Sequence, residues 1–222
     1  MNKKFDYKMV IFDVDGTILD TSKGLLAAVQ YTISHNSLKE LTEEELLTFI
    51  GPPVQDSFRK YYHTSDIETQ QLADVFRERY KSVDLLKAEP YARIYELFDL
   101  LLSEGIVIGI ATYKREDYAL QLLKHFEFDR YTDIIYGGDN LNQLKKKDII
   151  AKCLTHVHNI TPEDVVVIGD SKSDGVGAIE NGCDFCGVTY GFGIKEEKDL
   201  ESVRTAKIAD SVGQLIDWIK NA

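Results

Sequence analysis

Asp13 and Asp15 stand two positions apart directly after the apolar run Met9-Val10-Ile11-Phe12, and Gly16-Thr17 follow at once. An apolar run of this kind reads as a buried strand, here with an acidic carboxyl end. Carboxylates placed there repel one another and lose hydration unless a cation or a reacting group lies between them. Chemistry is therefore expected at this point. A carboxylate nucleophile (Asp13), a second carboxylate trading a proton with the leaving oxygen (Asp15) and a divalent cation offsetting their repulsion form the set that phosphoryl transfer requires. Gly16 lets the chain turn close to the reacting group.

Further polar residues follow later apolar runs: Thr112-Tyr113-Lys114, and Gly169-Asp170-Ser171-Lys172-Ser173-Asp174. Between them Lys145-Lys146-Lys147 opens a helical pattern. In a parallel α/β sheet ligands bind at the carboxyl ends of the strands, so the fold would gather carboxylates, a hydroxyl and an ammonium at one edge. Such a cluster suits Mg2+, a hard ion that prefers oxygen ligands.

The elements that must position these groups alternate. Strands are predicted over Met9 to Phe12, Ile106 to Ala111, Asp133 to Tyr136, Val165 to Ile168, Phe185 to Thr189 and Lys207 to Ala209, all short and apolar, as strands covered on both faces should be. Helical spacing marks Tyr91 to Leu102, Asp117 to Phe126 and Asp148 to Val157, and Ser211 reads as the N-cap of a last helix. The pattern predicts an α/β fold with a parallel, Rossmann-like sheet. One region departs from it. From about Asp20 to Lys87 the patterns are helical, with an amphipathic run Lys23 to Ile33, a capping box at Thr42-Glu-Glu-Glu45, a break at Gly51-Pro52-Pro53 and a long helix from Ile67 to Val83. A crossover of that size is too long for one helix. Residues 20–87 are therefore expected to form an inserted helical cap domain, with 1–19 and 88–222 as the core domain, hinged near Leu19 to Ser22 and Leu86 to Pro90.

Composition narrows the function classes. The chain has 222 residues, 44% of them hydrophobic, and a net charge of -11. A general nucleic-acid or anionic-membrane surface would need clustered Lys and Arg. No stretch approaches the ~20 apolar residues of a membrane span, and the basic start Met1-Asn2-Lys3-Lys4 has no apolar run of a signal peptide. Cys153, Cys183 and Cys186 are few and odd in number, which suits a reducing, cytoplasmic setting. The spacing Cys183-Asp-Phe-Cys186 stands without a second ligand pair, so apolar packing is its expected role.

Taken in order, Asp13-Val-Asp-Gly-Thr17, a Thr after the second strand, a lysine opening a later helix and Gly169-Asp170-x-x-x-Asp174 resemble the four motifs of the haloacid dehalogenase superfamily, in particular its phosphoglycolate-phosphatase-like members. The likeness extends to Gly51-Pro52-Pro53 and to Gly187-Val-Thr-Tyr-Gly-Phe-Gly193. It implies a Mg2+-dependent phosphatase acting on a small phosphorylated metabolite, as monomer or homodimer. By this resemblance Asp13 attacks phosphorus, and Asp15 is general acid and then base, its backbone carbonyl also binding Mg2+. Thr112 bonds the phosphoryl group, and Gly16 and Tyr113 lie at the substrate. A lysine neutralises nucleophile and phosphate. Asp170 completes the metal shell, with Asp174 acting through water or behind it. Tyr113 stands where relatives often carry Asn. Spacing favours Lys147, just ahead of Asp148-Ile149-Ile150, over Lys145 as the motif lysine.

Bland readings compete with each of these. Asp13 and Asp15 could be turn caps, Asp174 a helix cap, and the three lysines a solvated helix start. Phe49, Phe58, Tyr61, Tyr62, Phe76 and Tyr80 are expected to pack helices, and Arg59, Lys60 and Lys23 to be exposed unless they reach a second anionic group of the substrate. The alternatives within the superfamily are a β-phosphoglucomutase-like phosphomutase and a pyrophosphatase. Outside it stands a non-catalytic phosphate-binding module of the response-regulator type, against which the intact carboxylates and the helical insertion argue.

Overall fold

The computed structural model describes residues 4–141, 143–200 and 203–221. Strand β1 (Met9–Phe12) is wholly buried. Strand β2 (Leu19–Asp20) leads into helices α1 (Ser22–His35), α2 (Glu43–Leu47), α3 (Val54–Tyr62) and α4 (Asp66–Arg79), and α4 runs on into a π-helical turn, Tyr80–Asp84. Strand β3 (Glu89–Pro90) then precedes α5 (Ile94–Ser103), β4 (Val107–Arg115), α6 (Glu116–His125), β5 (Ile135–Gly138), α7 (Lys146–Leu154), β6 (Val165–Gly169), α8 (Lys172–Glu180), β7 (Asp184–Val188), β8 (Lys207–Ala209) and α9 (Val212–Lys220).

Six strands form one sheet in the order β5-β4-β1-β6-β7-β8, and every pairing in it is parallel. This is the Rossmann-like α/β architecture that the alternation predicts. Successive residues of β1 point to opposite faces. Val10 and Phe12 join Phe98 of α5 and Leu215 and Ile216 of α9 in one apolar cluster. Met9 and Ile11 join Ile149 and Ile150 of α7 and Ala178 of α8 in another. Both faces of the strand are thus covered, which is why β1 is continuously apolar instead of alternating.

The four helices and the π-turn all lie between β2 and β3, which pair antiparallel at Leu19↔Pro90 and Asp20↔Glu89. The segment therefore starts and ends at one two-stranded ribbon, separate from the six-stranded sheet. Asp84, at its exit, is fully buried and held by Arg79 and Lys87, each 2.7 Å away. The expected capping box at Thr42 and Glu45 is present. Sequence reading passes over α3, which begins directly after the Gly51-Pro52-Pro53 break, and over the two-residue ribbon, too short to carry a pattern. It also places one unbroken helix over Ile67 to Val83, where the structure has α4 followed by the π-turn. Strand β4 runs past its expected end at Ala111 to Arg115, with a shift of register against β5 between those two residues. That extension carries Thr112, Tyr113 and Lys114 along the carboxyl edge of the sheet.

Candidate active site

The carboxyl ends of β1, β4 and β6 meet there. Asp13, one residue beyond β1, is buried, and its Oδ1 accepts a hydrogen bond from Lys146 Nζ at 2.6 Å. The same ammonium lies 2.6 Å from Asp174 Oδ1 and donates to the Ala111 carbonyl at 2.9 Å. Lys146 thus links the end of β1, the middle of β4 and the first turn of α8 from the first turn of α7.

Of the three lysines it is Lys146, not the expected Lys147 or Lys145, whose ammonium meets Asp13. Lys146 shares one helical face with Ile149, Ile150 and Cys153, all buried, and so points into the core. Lys145 and Lys147 flank it and are exposed. Lys147 Nζ reaches only Glu180, at 3.6 Å on the surface. The spacing of buried positions (i, i+3, i+4, i+7) is a sequence signal that selects Lys146, and motif spacing alone misses it.

Asp170 ends in a cradle of backbone. Its Oδ2 accepts from the Phe192 N–H at 2.6 Å and the Gly193 N–H at 3.1 Å. Gly16 approaches so closely, at φ +83°, that a Cβ there would lie 2.2 Å from Asp170 Oδ2, and only glycine fits. Asp174 does serve as a helix cap, since its Oδ2 accepts from the N–H and Oγ of Ser171 at 3.0 and 2.6 Å. Its other oxygen faces Lys146.

Asp13, Asp170 and Asp174 offer carboxylate oxygens within 4.8 Å of one another. Three carboxyl groups share one ammonium, and the donors are all oxygen. This set fits a hard divalent cation. Burial, the largest cause, together with the neighbouring carboxylates pushes Asp13 up to about 8 although Lys146 pulls it down. Burial and Asp174 push Asp170 up to about 6. The same burial would lower Lys146, yet Asp13 and Asp174 hold it above its ordinary value.

The Asp15 side chain stands apart from this group. Its Oδ1 accepts from the Thr21 hydroxyl and pairs with Lys114 Nζ at 3.0 Å. Lys114 is buried and also donates to the Tyr80 hydroxyl at 2.9 Å. Sequence reading gave Lys114 no role. As to metal binding by Asp15, the carboxylate belongs to the Lys114 pair and lies outside the three-carboxylate cluster.

Thr112 is buried, and its hydroxyl accepts the Lys114 N–H at 3.1 Å. Tyr113 lies by the lysine, its hydroxyl accepting the Lys146 N–H at 3.0 Å. Arg59 is exposed and engaged by Asp56 and Asp66, and Lys23 and Lys60 are exposed. The aromatic residues of the helical segment do pack on each other, as in Phe49 on Phe58 and Phe76 on Tyr80. Phe49, Phe76 and Tyr80 also line a cavity of about 80 Å³ that reaches Asp15 and Lys114. Cys153, Cys183 and Cys186 are free, buried thiols. Among the described residues no helix is long and apolar enough to cross a membrane.

The family model for haloacid dehalogenase-like hydrolases matches residues 10–188. The chain is 30% identical over 191 residues to a 5'-nucleotidase of Pseudomonas aeruginosa, covering 86% of each chain. It is 26% identical over 227 residues to the phosphoglycolate phosphatase of Escherichia coli, covering 90% of this chain and 88% of that one. Among solved structures, a predicted phosphatase from Clostridium acetobutylicum superposes with a TM-score of 0.89 at 30% identity, covering 97% of this chain and 99% of the other.

Proposed function

The chain belongs to the haloacid dehalogenase-like hydrolase family, and we propose that it is a Mg2+-dependent phosphatase that hydrolyses a small phosphate monoester through an aspartyl phosphate on Asp13. Relatives named as a phosphoglycolate phosphatase and a 5'-nucleotidase support phosphoric monoester hydrolysis. The observation that carries the reading is the buried group Asp13, Asp170 and Asp174 around the single ammonium of Lys146.

In the proposed reaction an Asp13 carboxylate oxygen forms a bond to phosphorus as the bond to the leaving alcohol breaks. Asp15 gives the alcohol oxygen a proton. Asp15 then takes a proton from a water that attacks phosphorus, which frees Asp13 and releases inorganic phosphate. Lys146 holds positive charge against Asp13 and the phosphoryl oxygens through both steps. Thr112 donates to a phosphoryl oxygen. A magnesium ion bound by Asp13, Asp170 and the Asp15 carbonyl would supply the remaining positive charge. Asp174 acts from behind, fixing Lys146 and the start of α8. Residues 20–87 serve as the cap, opening for substrate and closing to exclude water, with the β2–β3 ribbon as its hinge.

A panel of phosphate esters and pyrophosphate, assayed with Mg2+ and with EDTA, tests the reading. The expected result is release of phosphate from monoesters that stops on chelation and is absent in Asp13→Asn. Full turnover by Asp13→Asn would overturn the nucleophile. Isomer formation in place of phosphate release would make the protein a phosphomutase, and a preference for pyrophosphate a pyrophosphatase.

A further inference from the structure

Asp15 and Lys114, beside which a leaving oxygen would sit, line a cavity whose wall also holds Arg77 from α4 and Arg115 from the end of β4. Both guanidinium groups converge on one neutral oxygen: Asn140 Oδ1 accepts from Arg77 Nη1 at 2.9 Å and from Arg115 Nη1 at 3.1 Å. Two cations sharing an uncharged acceptor is an arrangement that an oxyanion would satisfy better.

Their acidic neighbours sit on the outside. Asp117 binds Arg115 Nε and Nη2 at 2.6 Å each. Asp74 lies 3.5 Å from Arg77 and is itself 59% exposed, whereas the Arg77 side chain is 10% exposed. Asp139, which also lines the cavity, has its carboxylate occupied by the backbone N–H groups of Leu141, Gln143 and Leu144. Burial, and then Arg115, push the Arg77 guanidinium below its ordinary value, with Asp74 opposing. Arg77 is therefore a buried cation with weak compensation, lining a cavity that Asp15 also lines. A buried charge in that condition is costly unless something pairs with it.

We infer that Arg77 and Arg115 form a receptor for a second anionic group on the leaving alcohol, so that the preferred substrates are monoesters whose alcohol ends in a carboxylate or a second phosphate. The inference rests on the phosphatase reading and adds to it the chemistry at the far end of the substrate. The side chains named from sequence for this task, Arg59, Lys60 and Lys23, are exposed, and none of the three lines this cavity. Asn140, itself exposed, holds the two guanidinium groups beside one another until the anion arrives. Arg77 comes from the helical segment and Arg115 from the sheet, so an anion bridging them would also draw the two together.

Matched substrate pairs test this. Phosphoglycolate against ethyl phosphate compares a carboxylate with a methyl group. Propane-1,3-diol bisphosphate against propyl phosphate compares a second phosphate with a hydrogen on the same carbon. For the wild-type chain with Mg2+, kcat/KM should favour at least one anion-ended member by roughly 10- to 100-fold, and which pair shows it decides between carboxylate and phosphate. In Arg77→Gln and Arg115→Gln that ratio should fall to within about threefold of one, mostly through KM, and Arg77→Lys should recover part of it. Should Arg77→Gln fail to fold, Arg115→Gln, at the more exposed position, carries the comparison. A wild-type ratio near one for both pairs, or a ratio unchanged in both variants, would overturn the receptor while leaving the phosphatase intact, as would a preference for nucleoside monophosphates over all four compounds. Calorimetric titration of Asp13→Asn with the same compounds reads the receptor without turnover. Selective binding of the anion-ended members by Asp13→Asn, with a wild-type chain that hydrolyses none of the compounds, would sink the phosphatase reading alone, and equal binding would sink the receptor.

Discussion

Lys146 Nζ lies 2.6 Å from Asp13 Oδ1, and both side chains are almost wholly buried. The pair spans 133 residues of sequence and ties the first turn of α7 to the end of β1. The ammonium reaches the site only because its helical face is the one turned to the sheet. Replacing it should therefore act on chemistry and packing together. Lys146→Met is expected to lower kcat/KM for p-nitrophenyl phosphate by at least about 100-fold, because the charge on the phosphoryl oxygens loses its partner. Lys147→Met removes only a surface contact and should stay within about twofold of wild type. Steady-state assays of the two variants, with circular dichroism to check folding, decide the point. Equal losses in both would return the assignment to open spacing.

Gly16→Ala should separate backbone strain from a clash with the site. Gly16 has φ +83°, and an added Cβ would meet Asp170 Oδ2 at 2.2 Å. Gly105 has φ +72° with nothing within 4 Å of a Cβ. Both Ala variants should lose about 1–3 kcal/mol of stability from the left-handed backbone. Only Gly16→Ala should also lose activity, by more than about 100-fold, since Asp170 must move. Thermal melts and phosphate release measure the two effects separately.

The metal-free protein should become less stable as pH rises. Asp13 is pushed from the ordinary 3.8 up to about 8 and Asp170 up to about 6, in each case chiefly by burial. A carboxyl with a raised folded value keeps its proton in the fold while the unfolded chain releases it. Stability from these groups is therefore present at low pH and declines across the window from about 4 to 8. In EDTA the melting temperature is expected to fall between pH 5 and pH 8. Asp13→Asn should flatten that slope, and Mg2+ should raise the pH 8 end most. A melting temperature rising over the window in EDTA, with Asp13→Asn steeper than wild type, would contradict the argument.

Lys114 should matter in proportion to how much the leaving group needs a proton. It pairs with Asp15 at 3.0 Å and is itself held by Tyr80. Lys114→Met frees Asp15 from that hold, leaving Thr21 as its partner. With an alkyl phosphate kcat/KM is expected to drop about 10- to 100-fold. With p-nitrophenyl phosphate, whose leaving group departs without help, the drop should be several times smaller. The same loss for both esters would mean that Lys114 acts on the phosphoryl group itself.

The sequence by itself determined the strand order of events along the chain and the acidic strand ends. Each of those signals is local: an apolar run followed at once by Asp13-Val-Asp15, or by Gly169-Asp170, is a strand with its polar terminus attached, and it reads the same wherever the strand sits. Capping boxes such as Thr42 with Glu45, and the break at Gly51-Pro52-Pro53, are local in the same way. Helix phase is half-local. The buried positions Lys146, Ile149, Ile150 and Cys153 were there to be read, but with three lysines in a row a one-residue error in phase turns a core cation into a surface one. What only the tertiary structure decided lies across long gaps. Arg77 meets Asn140 over 63 residues and Lys114 meets Tyr80 over 34, and each contact forms between the helical segment and a chain end of the sheet side. No periodicity within either stretch encodes such a meeting, because it depends on how two separately folded surfaces are set against each other.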